Sequence, residues 1–435
     1  MTIDIKQDFP SGKQRWAALT PLAAGVFALC PAACGNSSDA GAASQGGGSS
    51  LSGGSSLGGG SFGGASSLDS GGNPDRAGAP NNGGSSSVAG GVAAAGQASA
   101  VGGASAQAGA GASAEPPSCA PGGPGMNTCG PDGKESCCTS LTVAAGSFSR
   151  TYSNNGSGAT GKADPATIST FRLDKYETTV GRLRQFVNYL AAGGALPAAG
   201  SGKHSHLNGG KGLADGSKAG SFEPGWDSSW NSNLPTGSKA VATWTKNLAC
   251  STGTYGTWSA TAGNNETLPI TCLDWYEAHA FCIWDGGFLP SEAEWEYASA
   301  GGDEQRMYPW GTTAPGTDSK YAMYDCYYPS GKPGNCTSLA NVAKVGTTTL
   351  GAGRWGQLDL SGSVWEWTLD VHSAKYDNPC TDCANLSGGT DRVLPGGGFH
   401  TGLMPYMLSS SRTSLNYATT YRGDYGVGVR CARTP

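Results

Sequence analysis

No cysteine falls between Cys383 and Cys431, although the 435-residue chain carries 14 of them. The stretch "GGGFHTGLMPYMLSSSR", residues 396–412, therefore has no thiol, and chemistry that needs a thiolate in that segment is excluded. Histidine is scarce too, with five residues at positions 204, 206, 279, 372 and 400 and no His-Glu-x-x-His spacing, so the common zinc-hydrolase helix is absent. Only 14% of residues are charged, the net charge is −5 and no basic run occurs, which argues against a nucleic-acid partner. Long apolar runs are missing as well. The one candidate, Trp16 to Leu29, is shorter than the ~20 residues that a membrane-spanning helix needs. Between Gly35 and Glu115 there is hardly an aromatic residue, and a stretch so poor in apolar bulk cannot offset the entropy of ordering it.

What is present at the N-terminus reads as a targeting segment. Lys13 and Arg15 precede the apolar run, and small residues follow, which is the layout of a signal peptide over 1–33. Ala32 and Ala33 directly before Cys34 resemble a bacterial lipobox, so Cys34 is the expected lipidation site. The expectation is an exported lipoprotein of the outer membrane, periplasm or cell surface, held to the membrane by that anchor. The alternative is ordinary cleavage and release. Residues 34–117 form a Gly/Ser/Ala-rich linker, and ~80 such residues have an r.m.s. span of roughly 50 Å, enough to hold a domain off a membrane.

Setting aside Cys30 and Cys34 leaves twelve cysteines from Cys119 to Cys431, an even number in an exported chain, which points to disulfides. Cys119, Cys129, Cys137 and Cys138 define a Cys-rich segment, 118–140, able to staple itself. Cys326 with Cys336 and Cys380 with Cys383 are close enough for local pairs. For "CTDC" at 380–383 a redox motif or half a zinc site are alternatives, but no thioredoxin-like context and no second such motif accompany it.

Helical signals are few. Val180, Leu183, Val187 and Leu190 recur on one face behind a possible N-cap at Thr179. "DWYEAHAFCIWDGG" predicts a second helix that stops at Gly286-Gly287. Ser291 and Glu294 have capping-box spacing and predict a third helix after Pro290. "GSVWEWTLDV" and "GVGVRC" read as brief strands among long loops. With 12 tryptophans, aromatic packing and disulfides can hold a fold that has little regular structure.

Six ordered blocks carry a resemblance: "FRLDKYETTVGRLRQFV" (171–187), "PITCLDWYEAHAFCIWDGGFLPSEAEWEYASAGG" (269–302), "YPWG" (308–311), "GQLDLSGSVWEWTLD" (356–370), "GGGF" (396–399) and "GVGVRCAR" (426–433). Together they resemble the formylglycine-generating enzyme, or sulfatase-modifying factor, family. The resemblance implies an α+β fold, loop-rich and C-type-lectin-like, over 141–435. It also implies an oxidase that converts a sulfatase cysteine to formylglycine with copper on two thiolates, which a soft Cu(I) ion requires. Laid over the family's turn, this sequence puts Thr401 and Tyr406 at the two cysteine positions, Gly398 at the serine and Gly402 at a histidine. Copper is therefore not expected.

The same resemblance implies a structural calcium held around Asp359, Gly362, Val364 and Glu366, with a buried hydrogen-bond network for Glu366 as the alternative. His204 and His206 could form a metal pair in a loop, His279 sits on a predicted helix as a surface or packed residue, and His400 falls in the altered segment. Glu292 with Glu296 has the residue types of an acid/base pair, though negative charge on a first helical turn also simply favours the helix dipole. The reading that follows is a non-catalytic binding or structural module, a pseudoenzyme, whose protein, peptide or glycan ligand would contact Phe399, His400 and Tyr406. The competing reading is an oxidase of the family that works with a different residue set.

Overall fold

A computed structural model describes residues 115–435 except 122, 124, 125, 251–253, 335, 337, 403, 413, 414, 424 and 425. The expected signal segment, Cys34 and nearly all of the linker lie outside the described residues.

Three of the four α-helices begin at a side-chain cap, and each packs buried residues into a core. Helix α1, Val180–Ala191, begins at Thr179, whose side chain accepts the Arg182 N–H, and it buries Val180, Leu183, Phe186, Val187 and Leu190. Helix α2, Ala240–Asn247, is a short one that the sequence reading lacks. It has no side-chain cap, and its place is set by Trp244, which is fully buried against Phe186. Helix α3, Trp275–Trp284, carries an Asp274/Glu277 capping box. Helix α4, Glu292–Ala300, has the expected Ser291/Glu294 box and ends at Gly301 in the left-handed conformation, φ 66°. The main core gathers the apolar faces of α1, α2 and α3 around Trp226, Trp275 and Trp367.

Strands are short and scattered through several small sheets. β1 (Ser140–Val143) pairs antiparallel with β4 (Phe171–Asp174), and the terminal strand Ala432–Arg433 adds to the other side of β4. Between them β2 (Gly146–Asn154) and β3 (Ala159–Ile168) form a hairpin whose β3 edge takes Cys380–Thr381 in parallel. "GSVWEW" and "GVGV" contribute only Trp365–Glu366 and Val427–Gly428, which pair in parallel. The fold is thus mixed α and β, loop-rich and stapled by disulfides.

Six disulfides use every cysteine from Cys119 to Cys431: 119–138, 129–137, 250–272, 282–431, 326–336 and 380–383. Both expected local pairs form. Cys380 and Cys383 are buried and bonded to each other between two strand pairings, so "CTDC" works as a structural link and not as half a zinc site. The Cys-rich segment is joined to the domain by charge. Arg182 of α1 reaches Asp174 at 2.9 Å and Asp285 at 2.5 Å, Arg433 binds the same two carboxylates, and Asp285 accepts the Ser118 N–H. Two cations balance two anions there, all of them out of water.

Candidate functional site

The segment that aligns with the family's copper turn is held from both sides by backbone. Gly396 and Gly397 adopt φ of 100° and 77°, a region that disfavours other side chains. The Gly362 N–H donates to Gly396 O, the Glu366 N–H to Pro395 O and the Phe399 N–H to Ser363 O. Thr401, expected from the resemblance at the first cysteine position, is 6% exposed, and its Oγ1 accepts the Gly398 N–H at 2.9 Å, which locks the turn. Tyr406, at the second, is partly buried and meets Trp365 edge to face at 5.5 Å. A side chain at Gly398 would come within 3.1 Å of the Trp365 ring and 3.2 Å of His400, and one at Gly402 within 2.9 Å of the Asp325 carboxylate. The glycines thus stand where neighbours have closed in on the space. Trp365 keeps a buried indole N–H with no hydrogen-bond partner among the described residues, beside that turn.

The described residues do not fit copper. A hydroxyl and a phenol stand where the resemblance implies thiolates, and every described cysteine is in a disulfide. One expectation needs correction. Phe399 is 1% exposed and packs against Tyr255, so its ring belongs to the core and is not offered to a ligand. His400 and Tyr406 remain partly exposed on this segment.

Asp359, Gly362, Val364 and Glu366 lie on one buried loop in which Asp359, Gly362 and Ser363 all have positive φ. Glu366 accepts from Arg430 through both oxygens and from the Trp295 indole at 2.8 Å. Asp359 accepts the Gly346 N–H at 2.6 Å and the Thr348 hydroxyl. A third carboxylate, Glu177, accepts the Ser363 hydroxyl at 2.8 Å and the Val364 N–H at 3.0 Å. Burial, then Asp359 and Glu366, push Glu177 well above the usual carboxylate range, and burial likewise raises Asp359. The excess of carboxylates over Arg430 favours a cation, but the oxygens of Asp359 and Glu366 are already taken. A calcium ion would have to displace these partners. Among the described residues no group of three or more His, Cys, Asp or Glu side chains has metal-holding geometry. No local pattern in the sequence marks Glu177, because its partners lie 186 and 187 residues away.

The remaining candidates separate. His204 is fully buried, with Nδ1 2.9 Å from Glu223 and Nε2 3.0 Å from Glu294, the residue that caps α4. Burial alone would depress this imidazole, but the two carboxylates outweigh it and push it up to about 10. It is an imidazolium bridge and not a metal ligand pair with His206, whose ring stacks on Phe288. His279 is buried among Trp226, Trp230 and Trp275, and burial pushes it down to about 3. Glu292 and Glu296 do share a cavity, but its volume is ≈ 10 Å³, room for no more than one water. Glu292 is paired with Arg412 at 3.0 Å and Glu296 accepts from the Tyr376 hydroxyl at 3.1 Å.

A formylglycine-generating enzyme of Streptomyces coelicolor is 31% identical over 169 residues, covering 38% of this chain and 52% of that protein. A mouse protein described as inactive C-alpha-formylglycine-generating enzyme 2 is 32% identical over 109 residues, 24% of this chain and 33% of its own. The hercynine oxygenase of Mycobacterium tuberculosis is 32% identical over 177 residues, 38% of this chain and 36% of its own. The chain thus spans from a third to about half of the length of these relatives. Among solved structures, PvdO from Pseudomonas aeruginosa is similar at 18% identity and a TM-score of 0.41, over 68% of this chain and 94% of that one. Residues 126–435, which include part of the Cys-rich segment, match the sulfatase-modifying factor enzyme 1-like domain, and the chain belongs to that family.

Proposed function

We propose that this protein is an exported, lipid-anchored member of the family in which the domain no longer oxidises cysteine and acts as a binding or structural module. The observation that carries this reading is the pairing of all twelve cysteines after Cys34 in six disulfides, with Thr401 and Tyr406 where the family's copper thiolates align. A hydroxyl cannot replace a thiolate as a soft ligand or as a redox sulfur. The ligand surface is the remodelled segment around the partly exposed His400 and Tyr406, open to a protein, peptide or glycan. Calcium at the Asp359–Glu366 loop belongs to the proposal as what the family resemblance implies, supported by three buried carboxylates, Glu177, Asp359 and Glu366, around the single Arg430, and its binding would displace the contacts that Asp359 and Glu366 now make.

Mass spectrometry of a sulfatase-type cysteine peptide, incubated with the protein, copper and oxygen, tests the reading. No aldehyde product is expected, and Thr401→Cys with Tyr406→Cys should gain metal binding at most, because the serine and histidine positions are glycines. A clear formylglycine product from the wild type overturns the proposal in favour of an oxidase with another residue set.

A further inference from the structure

Sulfur that a reductant can reach is concentrated at one place in this domain. All the disulfide cysteines are buried except Cys250 and Cys336, which are half-buried, so four pairs are sealed and two, Cys250–Cys272 and Cys326–Cys336, can be approached from solvent. Both meet at Tyr255. Its hydroxyl donates to Cys336 O, its carbonyl accepts the Thr271 hydroxyl beside Cys272 at 2.8 Å, and its ring packs edge-on against Phe399 at 5.5 Å.

The Cys326–Cys336 bond also acts directly on the remodelled turn. The Asp325 N–H donates to Thr401 O at 3.1 Å and the Cys326 N–H to Phe399 O at 2.8 Å, so the turn is gripped on both sides of His400. In making these bonds Asp325 and Cys326 adopt φ of 45° and 56°, successive left-handed conformations that residues with side chains hold only when their surroundings enforce them. The covalent link from Cys326 to Cys336 is one such enforcement.

We propose that Cys326–Cys336 is a thiol-operated switch that sets the shape of the remodelled turn, opened by a dithiol protein of the oxidoreductase class. A thiolate of that partner attacks the half-buried Cys336 sulfur, the S–S bond breaks, and the Cys326 sulfur leaves as a thiolate that takes a proton from water. The partner's second thiolate then closes the partner's own disulfide and displaces Cys336, which is protonated in turn, so two electrons pass to this pair. Freed from Cys336, Asp325 and Cys326 relax out of the left-handed region and withdraw their N–H groups from Thr401 and Phe399. The Phe399 N–H keeps its bond to Ser363 O, at 2.7 Å, and the change stays local. Its meaning for recognition rests on the reading of His400 and Tyr406 as the ligand surface, whereas the switch itself does not.

Titration of the full-length protein with dithiothreitol under native conditions, read by mass-tag alkylation and by hydrogen exchange, tests the assignment. Cys326 and Cys336 should be alkylated before any sealed pair, and the Asp325 and Cys326 amides should exchange about tenfold faster once the pair opens. Re-oxidation should restore slow exchange. Cys326→Ala with Cys336→Ala should exchange fast at positions 325 and 326 without reductant and respond to it no further. Alkylation of a sealed pair ahead of Cys326 and Cys336 overturns the proposal, and so does a double variant that keeps slow exchange. Exchange that rises alike over the whole domain overturns it too, because the bond is then a general staple. A formylglycine product from the wild type would remove the ligand-surface reading and leave these exchange results as they are.

Discussion

Single side chains in this domain are committed by partners far away in sequence, and His204 shows what that does to stability. Its folded-state value of about 10 lies above its ordinary 6.5, so the folded protein binds a proton more tightly than the unfolded chain. The stabilisation from the Glu223–His204–Glu294 bridge is therefore complete below pH 6.5 and lost as pH rises towards 10. The melting temperature should fall across that window, and His204→Gln should flatten the slope while lowering stability at pH 6. A slope that persists in the variant assigns it to other groups. The calcium proposal also turns on one side chain. Glu366→Gln should remove any stabilisation of the protein by calcium and, because it leaves Arg430 buried beside a neutral group, should cost about 3–5 kcal/mol even with chelator present. If chelator leaves the wild-type melting temperature unaltered, the calcium assignment fails and the Arg430 network alone accounts for Glu366. The sequence allowed both readings of Glu366, since the residue type suits either. Only the approach of Arg430, 64 positions along the chain, separates them.

At the scale of elements, legibility follows how local the determining contacts are. Thr179 and the Ser291/Glu294 pair sit within three residues of the groups they cap, and their helices could be read directly. Helix α2 lacks a cap, and the hairpin of β2 and β3 hides its alternation. Phe148, Arg150 and Tyr152 all face inward, but an arginine in the middle breaks the apolar pattern, and most of β3 is exposed or half-buried. The altered turn was legible as a missing pair of thiols. The way Gly398 and Gly402 are hemmed in by Trp365 and Asp325 was not, because those neighbours arrive from separate loops. Two element-scale outcomes follow. Ser291→Ala should cost about 1 kcal/mol, the usual worth of an N-cap, and somewhat more if Glu294 then loses its hold on His204. Arg182→Leu should cost about 3–5 kcal/mol in denaturant unfolding, because it strips one cation from the buried Asp174 and Asp285 and frees Ser118 and the Cys137 carbonyl of the Cys-rich segment. A loss below 1 kcal/mol would mean that Arg433 alone balances both carboxylates.

For the molecule as a whole, the division of labour lies between a domain dense in cross-links and a sequence before it with almost nothing to cross-link. From Cys119 onward the six disulfides include one between residues 149 positions apart, Cys282–Cys431, which ties α3 to the last strand. Closing so long a loop restricts the unfolded chain by about 5 kcal/mol in the chain-entropy picture. Such a framework persists in an oxidising compartment, which agrees with the proposed export and places no demand on a reducing cytosol. Cys30 lies within the expected signal segment, and Cys34 behind Ala32-Ala33 has the local sequence for acylation. A single acyl chain gives only marginal membrane binding, so stable anchoring at Cys34 calls for more than one chain or a second membrane contact. Cys34→Ala should therefore shift the protein from the membrane fraction to the soluble one with no change in melting temperature, since the domain's disulfides do not involve that residue. Cys30→Ala should leave the distribution as it is. If Cys34→Ala stays with the membrane, the anchor is not a lipid on this cysteine, and the Gly/Ser/Ala stretch loses its proposed role as the tether between them.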